Sequence, residues 1–192
     1  MTISVTQVYD DRGRAREAVA ALEAAGFAPD KISIVARHDE TEPVEDTASG
    51  LMTGAALGGV AGAGAGLLTA LGVIAVPGLG PLVAAGALAT TLTGAASGAV
   101  AGGLLGALLD YGLTDEEAHV YAESIRRGGT LVSVRAPDDR ADEARAILRR
   151  FDPVDPAQRR RSYVDEGWSG YDPKAPPYTR DQIARERDRY GL

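Results

Sequence analysis

The sequence predicts an α+β fold: two βαβ units separated by a long helical hairpin and followed by an extended C-terminal arm. Three observations predict it. Short β-branched runs alternate with amphipathic helical patterns on both sides of the chain's centre. Between them, Thr47 to Leu109 contains no charged residue, and 17 of the 24 glycines lie from Gly50 to Gly112. After Arg159 the hydrophobic period fades, while Trp168, Tyr171 and Tyr178 stand among glycine, proline and charges.

Residues 1–37 form the first half of the α/β domain. Ile3 to Tyr9 is short and β-branched, so it reads as a strand. Asp10 and Asp11 are placed to cap the helix that follows. Ala15, Ala18, Val19 and Leu22 recur at helical spacing, and Gly26 ends that helix. Lys31 to Arg37 is a second strand. Residues 38–50 are an acidic linker that contains Pro43.

The central block, residues 51–112, carries glycine at a step of four: Gly50, Gly54, Gly58, Gly62 and Gly66, then Gly86, Gly94, Gly98, Gly102 and Gly106. Thr90 fills the one gap. On a helix, residues four apart share a face, so each run draws a smooth strip along which another helix can approach closely. Pro77, Gly78, Gly80 and Pro81 form the turn between legs 51–76 and 82–109.

Residues 113–158 complete the α/β domain. Thr114 and Glu117 make a capping box. Ala118, Tyr121, Ala122 and Ile125 form a buried stripe, and Gly128-Gly129 stops the helix. Thr130 to Ala136 is a third strand. Another helix follows Pro137-Asp138, with Ala141, Ala144, Leu148 and Phe151 on one face. Residues 153–158 suit at best a short edge strand, because they include two prolines. The order is ferredoxin-like, its middle replaced by the glycine-zipper hairpin. Residues 159–192 form the arm. Thr179 and Gln182 repeat the capping-box pattern near its end, and Trp168, Tyr171 and Tyr178 suit docking, since aromatic side chains with polar tips favour interfaces.

The pattern resembles the bacterial general stress protein 17M-like family, which includes heat- and low-temperature-induced proteins. The resemblance covers residues 3–158. Its matching pieces are SVTQVYDDRGRAREAVAALEAAGF, KISIVAR, the glycine block with IAVPGLGPLVAAGALA, LLGALLDYGLTDEEAHVYAESIRRGGTLVSVRA and DEARAILRRF. It implies a role in stress tolerance without an established catalytic activity, and it supplies no motif of binding residues.

Composition narrows the function. Cysteine is absent, which excludes disulfides and thiol nucleophiles. The formal charge is −7, which argues against nucleic acid as a partner. No apolar signal core is visible near Met1, so a cytoplasmic location is expected. The glycines match neither G-x-x-x-x-G-K-[ST] nor a post-strand G-x-G-x-x-G, so no cofactor is expected from them. His38 and His119 are the only histidines, and His119 reads as a surface residue on an acidic helix start. Asp115, Glu116 and Glu117 suit a helix N-terminus without a catalytic role. No metal site, small-molecule substrate or enzymatic activity is expected.

The hairpin admits two readings, and in both the chain's partner is itself, through the glycine strips. In one, the hairpin enters the cytoplasmic membrane. Each leg, at about 1.5 Å per residue, reaches across a hydrocarbon core of roughly 30 Å. Nine large aliphatic residues per leg favour insertion by only roughly 3 to 5 kcal/mol. In the other, the hairpin is buried between copies in a soluble assembly. Residues 53–66 fit this reading, holding only Leu57 and Val60 as large apolar side chains.

Overall fold

The computed structural model describes residues 2–38, 72–76, 79–96 and 103–190. It is a mixed α/β structure in three layers. The middle layer is an antiparallel sheet that has, among the described residues, five strands: β1 (Thr2–Tyr9), β2 (Ile32–Arg37), β3 (Gly72–Val76), β4 (Gly80–Ala85) and β5 (Thr130–Pro137). Their order across the sheet is β1-β5-β2-β4-β3. β5, the last strand in the chain, lies antiparallel between β1 and β2, with Val5 opposite Val134 and Ile34 opposite Val132.

Side chains alternate across these strands and feed two cores. On one face Val5, Tyr9, Ile32, Ile34, Val132 and Val134 meet α1 (Arg12–Ala24) and α5 (Ala141–Arg149). Ala15, Ala18, Val19 and Leu22 of α1 and Ala144 and Leu148 of α5 are buried there, as the helical spacing predicts. On the other face Val8, Val35, Leu82 and Leu131 meet α2 (Ala87–Ala96), α3 (Gly103–Asp110), α4 (Asp115–Arg126) and α6 (Pro156–Asp165). The helix α7 (Arg180–Arg189) closes the described chain.

Local chemistry sets the helix ends. Asp11 accepts from the Arg14 amide at 2.8 Å and starts α1, and Gly26, at φ +83°, follows its end. Asp10 does not cap; it pairs with Arg159. Thr114 with Glu117 and Thr179 with Gln182 form full capping boxes at α4 and α7. Asp155 caps α6, and Pro156 takes its first position, where a missing N–H costs nothing.

The central hairpin differs from expectation. Residues 72–76 and 80–85 are strands, so neither predicted leg, 51–76 or 82–109, is a continuous helix. β4 pairs with β2, Arg37 standing opposite Leu82. Residues 87–96 and 103–110 are helical, but Leu88, Leu92, Leu104 and Leu108 are buried in the domain's own core. Full burial of such a side chain stabilises by about 1.5–3 kcal/mol, whereas bilayer insertion gains about 0.3–0.6 kcal/mol per residue. The described parts of the second leg therefore belong to the domain. Among the described residues no helix is long and apolar enough to cross a membrane.

Two further expectations are corrected. Residues 153–158 are not a strand: the Val154 amide donates once to the Val8 carbonyl at 2.7 Å, and α6 then begins at Pro156. The arm is not extended from Arg159, because that residue lies inside α6, with Arg159 and Tyr163 buried one turn apart.

Candidate functional site

The glycines expected to mediate self-association separate into distinct groups. Gly50, Gly54, Gly58, Gly62, Gly66, Gly98 and Gly102 lie outside the described residues. Gly94 lies in α2 and Gly106 in α3, two helices that pack against each other. Gly86 is not part of any helical strip. It turns the chain from β4 into α2 at φ +82°, where an added Cβ would stand 2.1 Å from the Ile32 carbonyl oxygen. Only a residue without a side chain fits this corner.

The predicted turn joins strands rather than helices. Pro77 and Gly78 lie outside the described residues, while Gly80 takes φ +77° and pairs with Val76. Pro81 sits near the start of β4, and its carbonyl accepts from the His38 amide at 2.9 Å. Among the described residues β3 is an outermost strand of the sheet, made only of Gly, Val, Ile and Ala. Its Val73 is 46% exposed. Sheet edges in natural proteins are usually blunted by lysine, proline or a bulge, and β3 carries none of these between Gly72 and Val76.

The aromatic residues of the arm dock on the arm's own chain. Trp168 meets Tyr163 edge-on, with ring centroids 5.5 Å apart. Tyr171 is buried, and its amide donates to His119 Nδ1 at 3.0 Å. The neutral His119 ring therefore carries its proton on Nε2. This histidine, expected at the surface, anchors the segment after α6. Tyr178 lies beneath the guanidinium of Arg126, 4.8 Å from ring centroid to Cζ.

A buried ionic cluster beside these rings ties the segment down. Glu123, fully buried on α4, accepts from Arg126 at 2.7 and 2.9 Å and from Arg127 Nε at 2.7 Å. Arg127 also donates to Glu166 at 2.6 Å and to Glu186 on α7 at 3.2 Å, and it stacks on Tyr163. Burial by itself lowers the pKa of Arg127, but the bonds to Glu166 and Glu123 outweigh it, so the net shift is upward and the cation persists. Arg159 adds a two-point pair with Asp10, at 2.9 and 2.5 Å. Tyr163 is pushed up to about 12 by burial, against the opposing pull of Arg159, Ser124 and Arg127.

Sequence reasoning named the aromatic residues but missed the ions that hold them. Glu123, Arg126 and Arg127 read as the polar end of α4, and their partners Glu166 and Glu186 lie far along the chain. The available signal was Arg159 and Tyr163 at helical spacing after an Asp-Pro helix start.

Compared with known proteins, the chain matches no family model, no curated protein and no solved structure. The resemblance to the general stress protein 17M-like family thus rests on the sequence pieces quoted above.

Proposed function

We propose that this is a non-enzymatic stress-response protein that assembles with copies of itself, the α/β domain offering its β3 edge to a second chain. The observation that carries the reading is the composition of that edge: among the described residues, a terminal strand without charge, proline or bulge, bearing an exposed Val73. Two such edges pair antiparallel about a two-fold axis, and main-chain hydrogen bonds then continue the sheet from one copy into the next. The stress role comes from the resemblance alone. Of the two settings weighed for the uncharged segment, burial between copies is favoured over the bilayer, because Leu88, Leu92, Leu104 and Leu108 are already used by the core. The finer fold reading is ferredoxin-like. It is supported by β5 between the parallel β1 and β2 and by α1 and α5 on one face.

The test is light scattering coupled to size exclusion, with Val73→Lys as the probe. The wild type is expected to run as a multiple of its 19.9 kDa mass, and Val73→Lys as a monomer with an unchanged far-UV spectrum. A monomeric wild type refutes self-association. If Val73→Lys keeps the assembly while Gly58→Leu with Gly98→Leu dissolves it, the contact lies in the glycine strips and the edge reading fails.

A further inference from the structure

We propose that the surface receiving α7 also takes that helix from a second copy of this chain, so that assembled copies exchange their C-terminal segments. The surface is built by the end of α4, the two glycines after it, and α6. Arg127 donates to Glu186 at 3.2 Å, and Glu166 accepts from Arg189. The Arg159 guanidinium lies 3.8 Å from the Tyr190 ring centroid, and those of Arg126 and Arg127 lie 4.8 and 5.5 Å from that of Tyr178. Ile183 rests against Gly128, where a Cβ built on the glycine would stand 3.6 Å from the Ile183 Cβ. Each contact joins a group on the body to a group on the segment, and none depends on which chain supplies the segment.

Three features make the segment exchangeable. None of the residues of α7 is buried, so its departure opens neither core. Thr179 and Gln182 cap the helix from within, so it keeps its start wherever it docks. The connection from the buried Tyr171 to Tyr178 is Asp172-Pro173-Lys174-Ala175-Pro176-Pro177. It is bent by a turn in which Asp172 accepts from the Lys174 and Ala175 amides at 2.8 and 3.2 Å. Opening that turn leaves a proline-rich strut of roughly 19 Å, since such a chain extends by about 3.1 Å per residue.

Effective concentration decides which body a segment occupies. Exchange of an identical element reuses the native contacts and so costs little. A short tether holds the chain's own helix at about millimolar concentration, far above a dilute solution of free chains. Within an assembly a neighbour's helix reaches a comparable local concentration, and exchange begins there. The inference therefore rests on the self-assembly proposed above, whichever contact first brings the copies together. Exchanged helices then tie each copy to its neighbour through contacts the fold already possesses.

The chain has no cysteine, so an engineered pair reports on one contact alone. Gly128→Cys with Ile183→Cys places the two Cβ atoms about 3.5–4.5 Å apart, the disulfide range. Isotope-labelled and unlabelled full-length chains are mixed in equal amounts, equilibrated at assembling concentration and at high dilution, oxidised and digested with trypsin. In the assembled sample the fraction of linked peptides carrying one labelled and one unlabelled half is expected to approach one half. In the dilute sample it is expected to be near zero. Gly128 has φ +104°, which strains any side chain, so Glu166→Cys with Arg189→Cys, joined by a short bismaleimide, repeats the measurement at a partly exposed ion pair. Single-isotope links alone from an assembled sample, with both pairs, overturn the exchange and leave self-assembly standing. A wild type that stays monomeric at every concentration overturns both.

Discussion

Replacing Glu123 by alanine removes the one carboxylate that both Arg126 and Arg127 share. Three charge-assisted hydrogen bonds disappear, at 2.7, 2.7 and 2.9 Å. Breaking a buried ion pair from one side typically costs about 3–5 kcal/mol, because the remaining charge loses its compensation. Here the cations are not fully stranded. Arg127 keeps Glu166 and Glu186, while Arg126 keeps the Pro176 carbonyl and the Tyr178 ring. The expected loss is therefore at the low end, about 3 kcal/mol, or roughly 6–12 °C in Tm for a chain of this size. Glu123→Gln, of similar volume but uncharged, should fall between the wild type and the alanine variant. Urea unfolding followed by the emission of Trp168, the only tryptophan, reads the docked segment directly, and far-UV circular dichroism reads the rest. A loss under about 1 kcal/mol with unchanged Trp168 emission would show that the cluster does not anchor the segment.

Two further predictions test the corner and the buried phenols. Gly86→Ala must adopt a left-handed backbone and also displace the Ile32 carbonyl, so it should destabilise by about 3 kcal/mol or more in urea unfolding. A loss comparable to an ordinary helix substitution would return Gly86 to the zipper. Tyr163 and Tyr171 are both pushed up to about 12 from an ordinary value of 10, chiefly by burial. The folded chain thus holds protons that the unfolded chain releases. Their stabilisation is complete below pH 10 and is lost as pH rises toward 12, at about 1.4 kcal/mol per pH unit for each group. Urea titrations at pH 9, 10 and 11 should show this slope, and Tyr163→Phe should remove one share of it.

The flanking elements were legible because each carried two agreeing signals. The apolar stripe of α1 comes with Asp11 before it and Gly26 after it, and α4 joins its stripe to the Thr114–Glu117 box. The centre misled because the helical legs were extended beyond the step-of-four glycines, across residues 72–76 and 80–85, which hold none of those glycines and are strands. The β-branched run Val73-Ile74-Ala75-Val76 before Pro77-Gly78 was the better guide to β3. The cleft between the end of β2 and α7 was not legible at all. Arg12, Arg37, Arg180 and Arg187 come from both ends of the chain, and no local pattern announces that β2 and α7 meet.

The position of β5 has a kinetic consequence. Thr2 pairs with Pro137 and Ile32 with Val134, so β1 and β2 stay apart until a strand made almost 100 residues after β2 has been synthesised. Local helices form early, but the sheet closes only over these long separations, the class of contact that folds slowly. At about 5–20 residues per second, the uncharged segment leaves the ribosome several seconds before the strand that completes the sheet. During that interval its apolar residues can meet those of a neighbouring chain before they meet their own domain. In the self-assembly proposed above, synthesis rate and chain density would compete with folding for the same surface.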